Sequence, residues 1–252
     1  MCGRFVQQMP PARIGEVFDV DPALAALPNA PPRWNAAPTQ DLMVVRRHPQ
    51  TGVRHLSLLR WGLVPSFAKD PSGGARLINA RSETAPEKLS FRSAWRARRR
   101  CIVPADGFYE WAPAPGQRQP FFIRRADGRP MALAGLWEGW KDPATGQWLR
   151  TFTILTTSAD PMLRPLHERM PVILPESDIA AFLEAEDPRD LMRALPGADL
   201  DLWPVSTRVN AVRNDDPDLM APLPDEAATA AMALLAAKPD GTGGDYGAPE
   251  TS

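Results

Sequence analysis

Residues 131–137 read Met-Ala-Leu-Ala-Gly-Leu-Trp, and residues 150–157 read Arg-Thr-Phe-Thr-Ile-Leu-Thr-Thr. The first segment is apolar throughout and the second is rich in β-branched side chains, a composition that is typical of strands. Between them, Asp142–Gly146 supplies residues that favour a turn. The two segments therefore predict a β-hairpin that turns at Asp142–Gly146.

Further strands are predicted on both sides of this hairpin. They are Leu42–Arg47, Arg54–Leu63, Phe121–Arg125 and Val172–Leu174, each separated from the next by Gly or Pro. The dipeptide Asp127-Gly128 favours a second hairpin. Residues 21–40 are rich in proline and alanine and are expected to be irregular.

Helices are predicted near both ends of the chain from apolar spacing and capping residues. They cover residues 9–20, with Ile14, Val17 and Phe18 inward; 178–186, capped by Ser177, with Ile179, Phe182 and Leu183 inward; 188–194; and Asp225–Lys238.

These elements predict an α+β fold with an antiparallel β-barrel-like core and peripheral helices. The 29 prolines argue against a helical bundle. No linker interrupts residues 40–210, so we expect one domain over residues 1–238. Residues 239–252 lack large apolar side chains and are expected to form a disordered tail.

Composition also indicates where the protein is located and whether it needs a cofactor. The chain has no signal-peptide pattern and no apolar run long enough to span a membrane, so a cytoplasmic location is expected. Only two cysteines occur, Cys2 and Cys101, and a reducing cytosol would keep both as thiols. The three histidines are scattered, so neither a metal nor another cofactor is expected. No oligomerisation signal is present, and a monomer is expected.

The net charge of −1 hides a strong asymmetry. Residues 1–175 carry 24 basic and 14 acidic side chains, whereas residues 176–252 carry 5 basic and 16 acidic ones. Arginine accounts for 25 of the 29 basic residues, and its planar fork suits phosphate recognition. A GC-rich genome would also explain the arginine excess, but not the asymmetry between the two parts.

Cys2 is the first residue with distinctive chemistry. Removal of Met1 would leave an N-terminal 1,2-aminothiol, whose amine has an ordinary pKa of roughly 7.7–8.0 and whose thiol has an ordinary pKa of about 8.5. Such a group can form a thiazolidine with an aldehyde, or the thiol can act as an acyl-transfer nucleophile with the amine as base. The alternative is an unstructured terminus that carries a small apolar side chain.

Polar side chains follow several predicted strands, at positions where sites are often built. Asn79 could hold an amine, or it could cap a turn. Glu110 lies between Tyr109 and Trp111, where burial would suit it to proton transfer, or it lies on a strand edge in solvent. His167 could exchange a proton near neutral pH, or it could bond to the backbone of a loop.

Basic and aromatic residues suggest contacts with nucleic acid. Arg4, Arg81 and Arg169 could bind phosphates, and the arginine-rich run Arg92–Arg100 could form an electrostatic patch. Base stacking is open to four aromatic residues, for which core packing is the alternative: Trp34, Trp61, Phe67 and Trp111.

Together these segments resemble the SOS response-associated peptidase (SRAP) family of abasic-site processing proteins. The matching pieces occur in the family's order, and any one alone would be weak. They are Met1–Phe5, Arg33–Thr39, Trp61–Pro65, Asn79–Glu83, Gly107–Trp111, Thr156-Thr157 and His167–Pro171, followed by a closing stretch made of Val205-Ser206 and Asn210 to Asp216.

The resemblance implies a β-barrel-like domain with a groove for single-stranded DNA. It implies that Cys2 forms a thiazolidine with the aldehyde of an abasic site, after the protein has removed its own Met1. Asn79 would position the Cys2 amine, Glu110 would shuttle protons, and His167 would assist as an acid or as an oxygen-binding group. The implied DNA contacts are Arg4, Trp34, Asn35, Pro38, Trp61, Phe67, Arg81, Trp111, Thr156 and Arg169. Association with the nucleoid is expected when DNA is damaged.

Two other classes of function remain open from the residues alone. The opening Met-Cys-Gly also begins the class II glutamine amidotransferases, which usually carry a second, synthase-type domain. A single-strand binder without catalysis would use only the basic and aromatic residues.

Overall fold

Sequence and structure agree on the fold class. The computed structural model of the chain describes residues 2–21, 29–48, 50–112 and 118–236. Within these ranges, the strands and α-helices in chain order are β1 (Arg4–Gln7), α1 (Pro11–Val17), β2 (Arg33–Ala36), β3 (Asp41–Arg47), β4 (Arg54–Trp61), β5 (Asn79–Arg81), α2 (Leu89–Arg96), β6 (Arg100–Ala105), β7 (Gly107–Ala112), β8 (Gln119–Arg125), β9 (Met131–Lys141), β10 (Trp148–Ser158), β11 (Arg169–Pro171), β12 (Ile173–Leu174), α3 (Ile179–Glu184), β13 (Leu200–Pro204) and α4 (Asp225–Ala236).

Five strands close into a barrel. Strands β3, β4, β10, β9 and β6 pair in a ring that returns to β3, and all the pairs are antiparallel except β4 with β10. Closure removes the exposed edges that an open sheet would leave. The predicted barrel-like core is therefore confirmed, with one parallel pair that the sequence did not indicate.

A second sheet lies beside the barrel. Its strand order is β13-β8-β7-β1-β2, and it is antiparallel throughout. The interior of the barrel and one face of this sheet share a single apolar core, which includes Cys2, Phe5, Trp61, Phe108 and Phe152. The core thus runs from the barrel directly to the N-terminal strand.

The first three helices pack on the outside of the barrel. Ile14 of α1, Phe91 and Trp95 of α2, and Phe182 of α3 join outward-facing barrel residues in a second core. Arg100 is fully buried beneath α3, where its Nη2 atom donates to the carbonyl of Glu186 at 2.9 Å and Nη1 donates to the carbonyls of Phe182 and Ala185. Its guanidinium therefore satisfies carbonyls at the C-terminal end of α3.

Several local predictions hold. The hairpin at Asp142–Gly146 joins β9 to β10, with Trp148 opposite Lys141. The first helix and the helix after residue 178 are present, with Ile179, Phe182 and Leu183 buried as predicted. The last helix is present over Asp225–Ala236.

Other predictions are wrong. Asp127-Gly128 is a turn but not a hairpin, because β8 pairs within the second sheet while β9 belongs to the barrel. Residues 33–36 form β2 rather than irregular chain, since β1 offers them an edge. Ser177 does not cap α3; its hydroxyl bonds to Asp178. Only a short 3₁₀ turn, Arg189–Leu191, replaces the helix predicted at 188–194. The predicted tail at 239–252 lies outside the described residues.

Candidate functional site

Cys2 lies inside the core where β1 enters the second sheet. Its side chain is fully buried, and its thiol points to the carbonyl of Arg4 at 3.9 Å. The next apolar side chain, Phe5, packs edge-on against Trp61 at 5.0 Å between ring centroids and anchors the strand. The N-terminal segment is thereby fixed against the barrel rather than left free in solvent.

Asn79 holds the backbone of Cys2. Its side-chain Nδ2 donates to the Cys2 carbonyl at 2.8 Å. Asn79 opens β5, a three-residue strand that runs parallel to β10 with Asn79 opposite Ile154. Its Oδ1 atom is buried and has no hydrogen-bond partner among the described residues. The amide is thus fixed by its Nδ2 contact, and its Oδ1 atom can accept a further hydrogen bond beside Cys2.

Glu110 is a buried carboxyl next to the same segment. Arg4 pairs with Tyr109 across β1 and β7, so the register places Gly3 beside Glu110. Glu110 is only 6% exposed, and burial raises the pKa of its carboxyl. Burial, followed by the negative charge of Glu110, also raises the pKa of the Cys2 thiol well above its ordinary range. The sulfur is therefore held as a neutral thiol near a carboxyl suited to proton transfer.

His167 and Arg169 approach along β11. The backbone N–H of Arg169 donates to Nδ1 of His167 at 2.9 Å, so the neutral ring carries its proton on Nε2. Ser158 of β10 pairs with Arg169, and Thr156 pairs with both Pro171 and Arg81. Strand β10 therefore brings the segments around Asn79 and His167 to its two edges.

Arg169 is already committed to protein partners. It forms a two-pronged ion pair with Glu83 at 2.7 Å for each hydrogen bond, and it donates to the Thr156 carbonyl at 2.5 Å. This pairing lowers the pKa of the Glu83 carboxyl. Arg169 would have to share its fork with Glu83 in order to bind a phosphate.

Arg4 and Asn35 fasten the closing stretch of the domain. Arg4 donates to the Asn35 side chain and to the carbonyl of Val209, each at 2.8 Å. The Asn35 amide is buried and donates to the carbonyls of Val209 and Asn214 at 3.1 and 2.8 Å. Both residues therefore have a structural role whether or not they contact DNA.

The aromatic candidates differ sharply in exposure. Trp61 is fully buried, stacked on Phe152, and donates from its indole to the Ile78 carbonyl at 2.9 Å. Phe67 is 57% exposed, and Trp34 and Trp111 are partly exposed. A base could stack on these three, but not on Trp61 as it is packed.

The other predicted contacts also divide by exposure. Thr156 is fully buried, with its hydroxyl 3.4 Å from the Ala80 carbonyl, whereas Pro38 is partly exposed. Arg81 is exposed, and no ion pair involves it within the described part of the chain. The run Arg92–Arg100 is only partly a surface patch, since Arg99 pairs with Glu138 and Arg100 is buried.

Sequence reasoning missed two carboxylates that organise the site. Asp215 accepts from the backbone N–H groups of Trp34 and Asn35 at 2.6 and 2.9 Å and pairs with Arg33 at 3.1 Å. Glu83 positions Arg169. Both lie in segments singled out above, but their arginine partners are distant in the sequence, so only the residue types were available as a signal.

The described residues contain no group of three or more His, Cys, Asp or Glu side chains that could hold a metal ion. None of the described helices is long and apolar enough to cross a membrane.

Comparison with known proteins identifies relatives over most of the chain. Residues 1–212 match the profile of the SOS response-associated peptidase (SRAP) family. The abasic site processing protein YoqW of Bacillus subtilis is 37% identical over 228 residues, covering 87% of this chain and 99% of the relative. The abasic site processing protein HMCES of Gallus gallus is 35% identical over 223 residues, covering 76% of this chain and 66% of the relative.

Solved structures show the same architecture. A protein from Bacteroides thetaiotaomicron superposes with a TM-score of 0.77 at 20% identity, over 88% of this chain and all of that one. A protein from Bordetella bronchiseptica superposes with a TM-score of 0.70 at 31% identity, over 81% of this chain and all of that one.

Proposed function

Because the chain belongs to the SOS response-associated peptidase family, we propose that it processes abasic sites in single-stranded DNA by bonding covalently to them through Cys2. Two of its relatives carry the name abasic site processing protein. The product would be a thiazolidine crosslink that shields the lesion.

The hydrogen bond from Asn79 Nδ2 to the Cys2 carbonyl carries this proposal. It fixes the backbone of the one residue that can supply an amine and a thiol together. The bond satisfies a backbone carbonyl, and it also acts as a clamp that restricts the directions in which the Cys2 amine can point.

Removal of Met1 is the first proposed step. Hydrolysis of the Met1–Cys2 peptide bond would release methionine and leave a free amine on Cys2. The spare Oδ1 acceptor of Asn79 would then have a donor close at hand. This self-cleavage is the physical meaning we propose for peptidase activity in this chain.

The crosslink would form in two steps. The Cys2 amine adds to the aldehyde carbon of the ring-opened sugar, and loss of water leaves an imine. The Cys2 sulfur then attacks the imine carbon, its proton passes to the nitrogen, and a five-membered ring closes. No oxidant, reductant or metal takes part in either step.

Proton transfer is assigned to Glu110 and His167. A buried carboxyl with a raised pKa keeps its proton to a higher pH than an exposed one and can deliver that proton to the departing oxygen. The Cys2 thiol needs a base when it attacks, and the carboxylate left by that delivery is the nearest candidate. His167 presents an N–H from Nε2, which suits it to bind the sugar oxygen or the water that leaves.

DNA binding is assigned to the exposed rim of the site. Arg81 would contact a phosphate next to the lesion, and Arg169 would share its fork between Glu83 and another phosphate. Trp34, Trp111 and Pro38 would contact the neighbouring bases.

The test is a denaturing gel combined with intact mass spectrometry. Untagged protein is incubated with an oligonucleotide that carries one abasic site, and with the same oligonucleotide undamaged. We expect loss of Met1 and a denaturation-resistant adduct on the damaged strand alone. Equal adduct from Cys2→Ala would overturn the proposal, and glutaminase activity would favour an amidohydrolase instead.

A further inference from the structure

The barrel has a second mouth, at the end away from Cys2. The pairing registers place one set of alternating side chains on the inside of all five strands. At the Cys2 end this set includes Trp61 and Ile154, which belong to the shared core. At the other end it includes Arg46, His55, Ser57, Trp137 and Arg150. Along β10, Arg150 lies about 20 Å from Thr156 at ~3.3 Å per residue, so the two ends are separate places.

Arg46 is held in a fixed orientation at this mouth. Its guanidinium carbon lies 4.5 Å from the centre of the Trp137 ring, and its Nε donates to the Ser57 hydroxyl at 3.1 Å. These contacts use one planar face of the guanidinium and its Nε–H group. The two terminal nitrogens have no hydrogen-bond acceptor among the described residues. A rigid arginine fork with both prongs free is the geometry that binds an oxyanion.

The positive charge at this mouth is uncompensated. Neither Arg46 nor Arg150 has a carboxylate within ion-pair distance in the described ranges, whereas Arg99 nearby is paired with Glu138. Burial, with the charge of Arg150 second, lowers the pKa of Arg46 to about 10. Burial and then the charge of Arg46 lower the pKa of His55 to about 4, so that its ring is neutral at pH 7. Two facing cations with no counter-charge call for an anion from outside the chain.

We propose that the mouth formed by Arg46, His55, Trp137 and Arg150 is a binding site for a phosphate group. Arg46 would donate hydrogen bonds to two phosphate oxygens, and the exposed Arg150 would form an ion pair with the phosphate from the opposite wall. The neutral His55 ring would line the mouth without adding charge. Mouths of β-barrels are common places for ligands of this kind. The phosphate could belong to a free phosphate or mononucleotide, or to the backbone of a nucleic acid.

The test uses inorganic phosphate and an undamaged thymidine 15-mer as probes, each titrated calorimetrically into the full chain in chloride buffer of matched ionic strength. The variants are Arg150→Gln and the double variant Arg46→Gln/Arg150→Gln. Arg129→Gln is the control, because Arg129 is equally exposed but lies at the turn between β8 and β9 and pairs with Glu176. We expect saturable phosphate binding that Arg150→Gln weakens by about tenfold and the double variant abolishes, while the control is unchanged.

The two probes identify the source of the phosphate. Loss of oligonucleotide binding in parallel with phosphate binding would assign the site to a nucleic acid backbone, and loss of phosphate binding alone would assign it to a small phosphate. Absence of saturable phosphate binding to the unaltered chain, or its survival in the double variant, would overturn the proposal. If the double variant does not fold, Arg150→Gln decides alone, because that side chain is exposed. Crosslinking to a short abasic oligonucleotide should be equal in all variants, so failure of the Cys2 chemistry would be seen separately.

Discussion

Asn79 and Cys2 lie 77 positions apart in the chain, yet the side-chain amide of one donates to the backbone carbonyl of the other at 2.8 Å. This contact ties a three-residue strand at the edge of the barrel system to the first strand of the second sheet. The position of Cys2 therefore depends on the pairing of β5 with β10, which is set by the rest of the fold.

Asn79→Ala removes the clamp on Cys2. Loss of one hydrogen bond of about 1–1.5 kcal/mol should slow crosslinking by roughly tenfold, because the amine is then aimed less often. Single-turnover gel assays measure this rate. Gln147→Ala, an exposed amide in the β9–β10 turn, is the control. An unchanged rate in Asn79→Ala would show that the clamp has no part in the chemistry.

Glu110→Gln should separate stability from catalysis. Burial raises the pKa of Glu110 in the folded protein, so the folded state loses stability as pH rises through that pKa. The uncharged amide avoids this loss. The variant should therefore melt higher than the unaltered protein at neutral and alkaline pH, with the gain disappearing as the pH falls. Crosslinking should fall by about 10²-fold, since the proton carrier is gone.

Melting curves from pH 4 to 9 and crosslinking rates check both parts of this prediction. Glu176→Gln, an exposed carboxyl, should change neither. A Glu110→Gln protein that melts lower than the unaltered one above neutral pH would contradict the stated effect of burial.

Substitution by glutamine should affect different properties at Arg4 and Arg81: stability at Arg4 and the salt dependence of DNA binding at Arg81. Arg4→Gln removes hydrogen bonds to the carbonyls of Val209 and Asn210 and should cost about 1–3 kcal/mol of unfolding free energy. Arg81→Gln should leave stability unchanged, because the side chain is exposed and forms no ion pair within the described part of the chain. It should instead lower the salt dependence of DNA binding by about one unit of slope. Urea titrations and binding at several salt concentrations distinguish the two.

The sequence predicted the barrel strands well because their signals are local. β-Branched residues mark β3 and β10, leucines and a tryptophan mark β4, and the turn at Asp142–Gly146 needs only its own residues. The Asp127-Gly128 turn has equally good chemistry, but the partner of β8 is decided by burial in the second sheet. Short polar strands such as β5 exist only because a neighbour pairs with them, so composition could not reveal them.

For the candidate site, residue types could be predicted but their contacts could not. Cys2, Asn79, Glu110 and His167 stand out through their chemistry and their places at strand ends. The partners that organise them, such as Asp215 for Trp34 and Glu83 for Arg169, lie far away in the chain. The role of Trp61 was also ambiguous from sequence, because an aromatic residue that stacks on bases and one that packs in the core look alike there. The structure places its side chain fully inside the core.

Trp111 and Trp61 offer a direct comparison between a partly exposed and a fully packed aromatic residue. Trp111→Ala should weaken single-strand binding by about 1–3 kcal/mol with little change in stability. Trp61→Ala should destabilise the fold by about 3–5 kcal/mol, since the ring is fully buried between Phe5 and Phe152. Fluorescence anisotropy and urea unfolding measure the two effects. A DNA-binding loss in Trp61→Ala without a stability loss would contradict this assignment.

Arg100→Met tests whether a buried cation holds a helix to the barrel. The variant leaves the buried carbonyl of Phe182 and the partly buried carbonyls of Ala185 and Glu186 without their donor, and an unpaired buried carbonyl costs about 1–3 kcal/mol. We therefore expect a loss of roughly 3 kcal/mol or more in urea unfolding, and faster amide exchange in α3 than elsewhere. Arg98→Met changes an exposed neighbour and should cost less than about 0.5 kcal/mol. Equal stability of the two variants would mean that apolar packing of Phe182 alone keeps α3 in place.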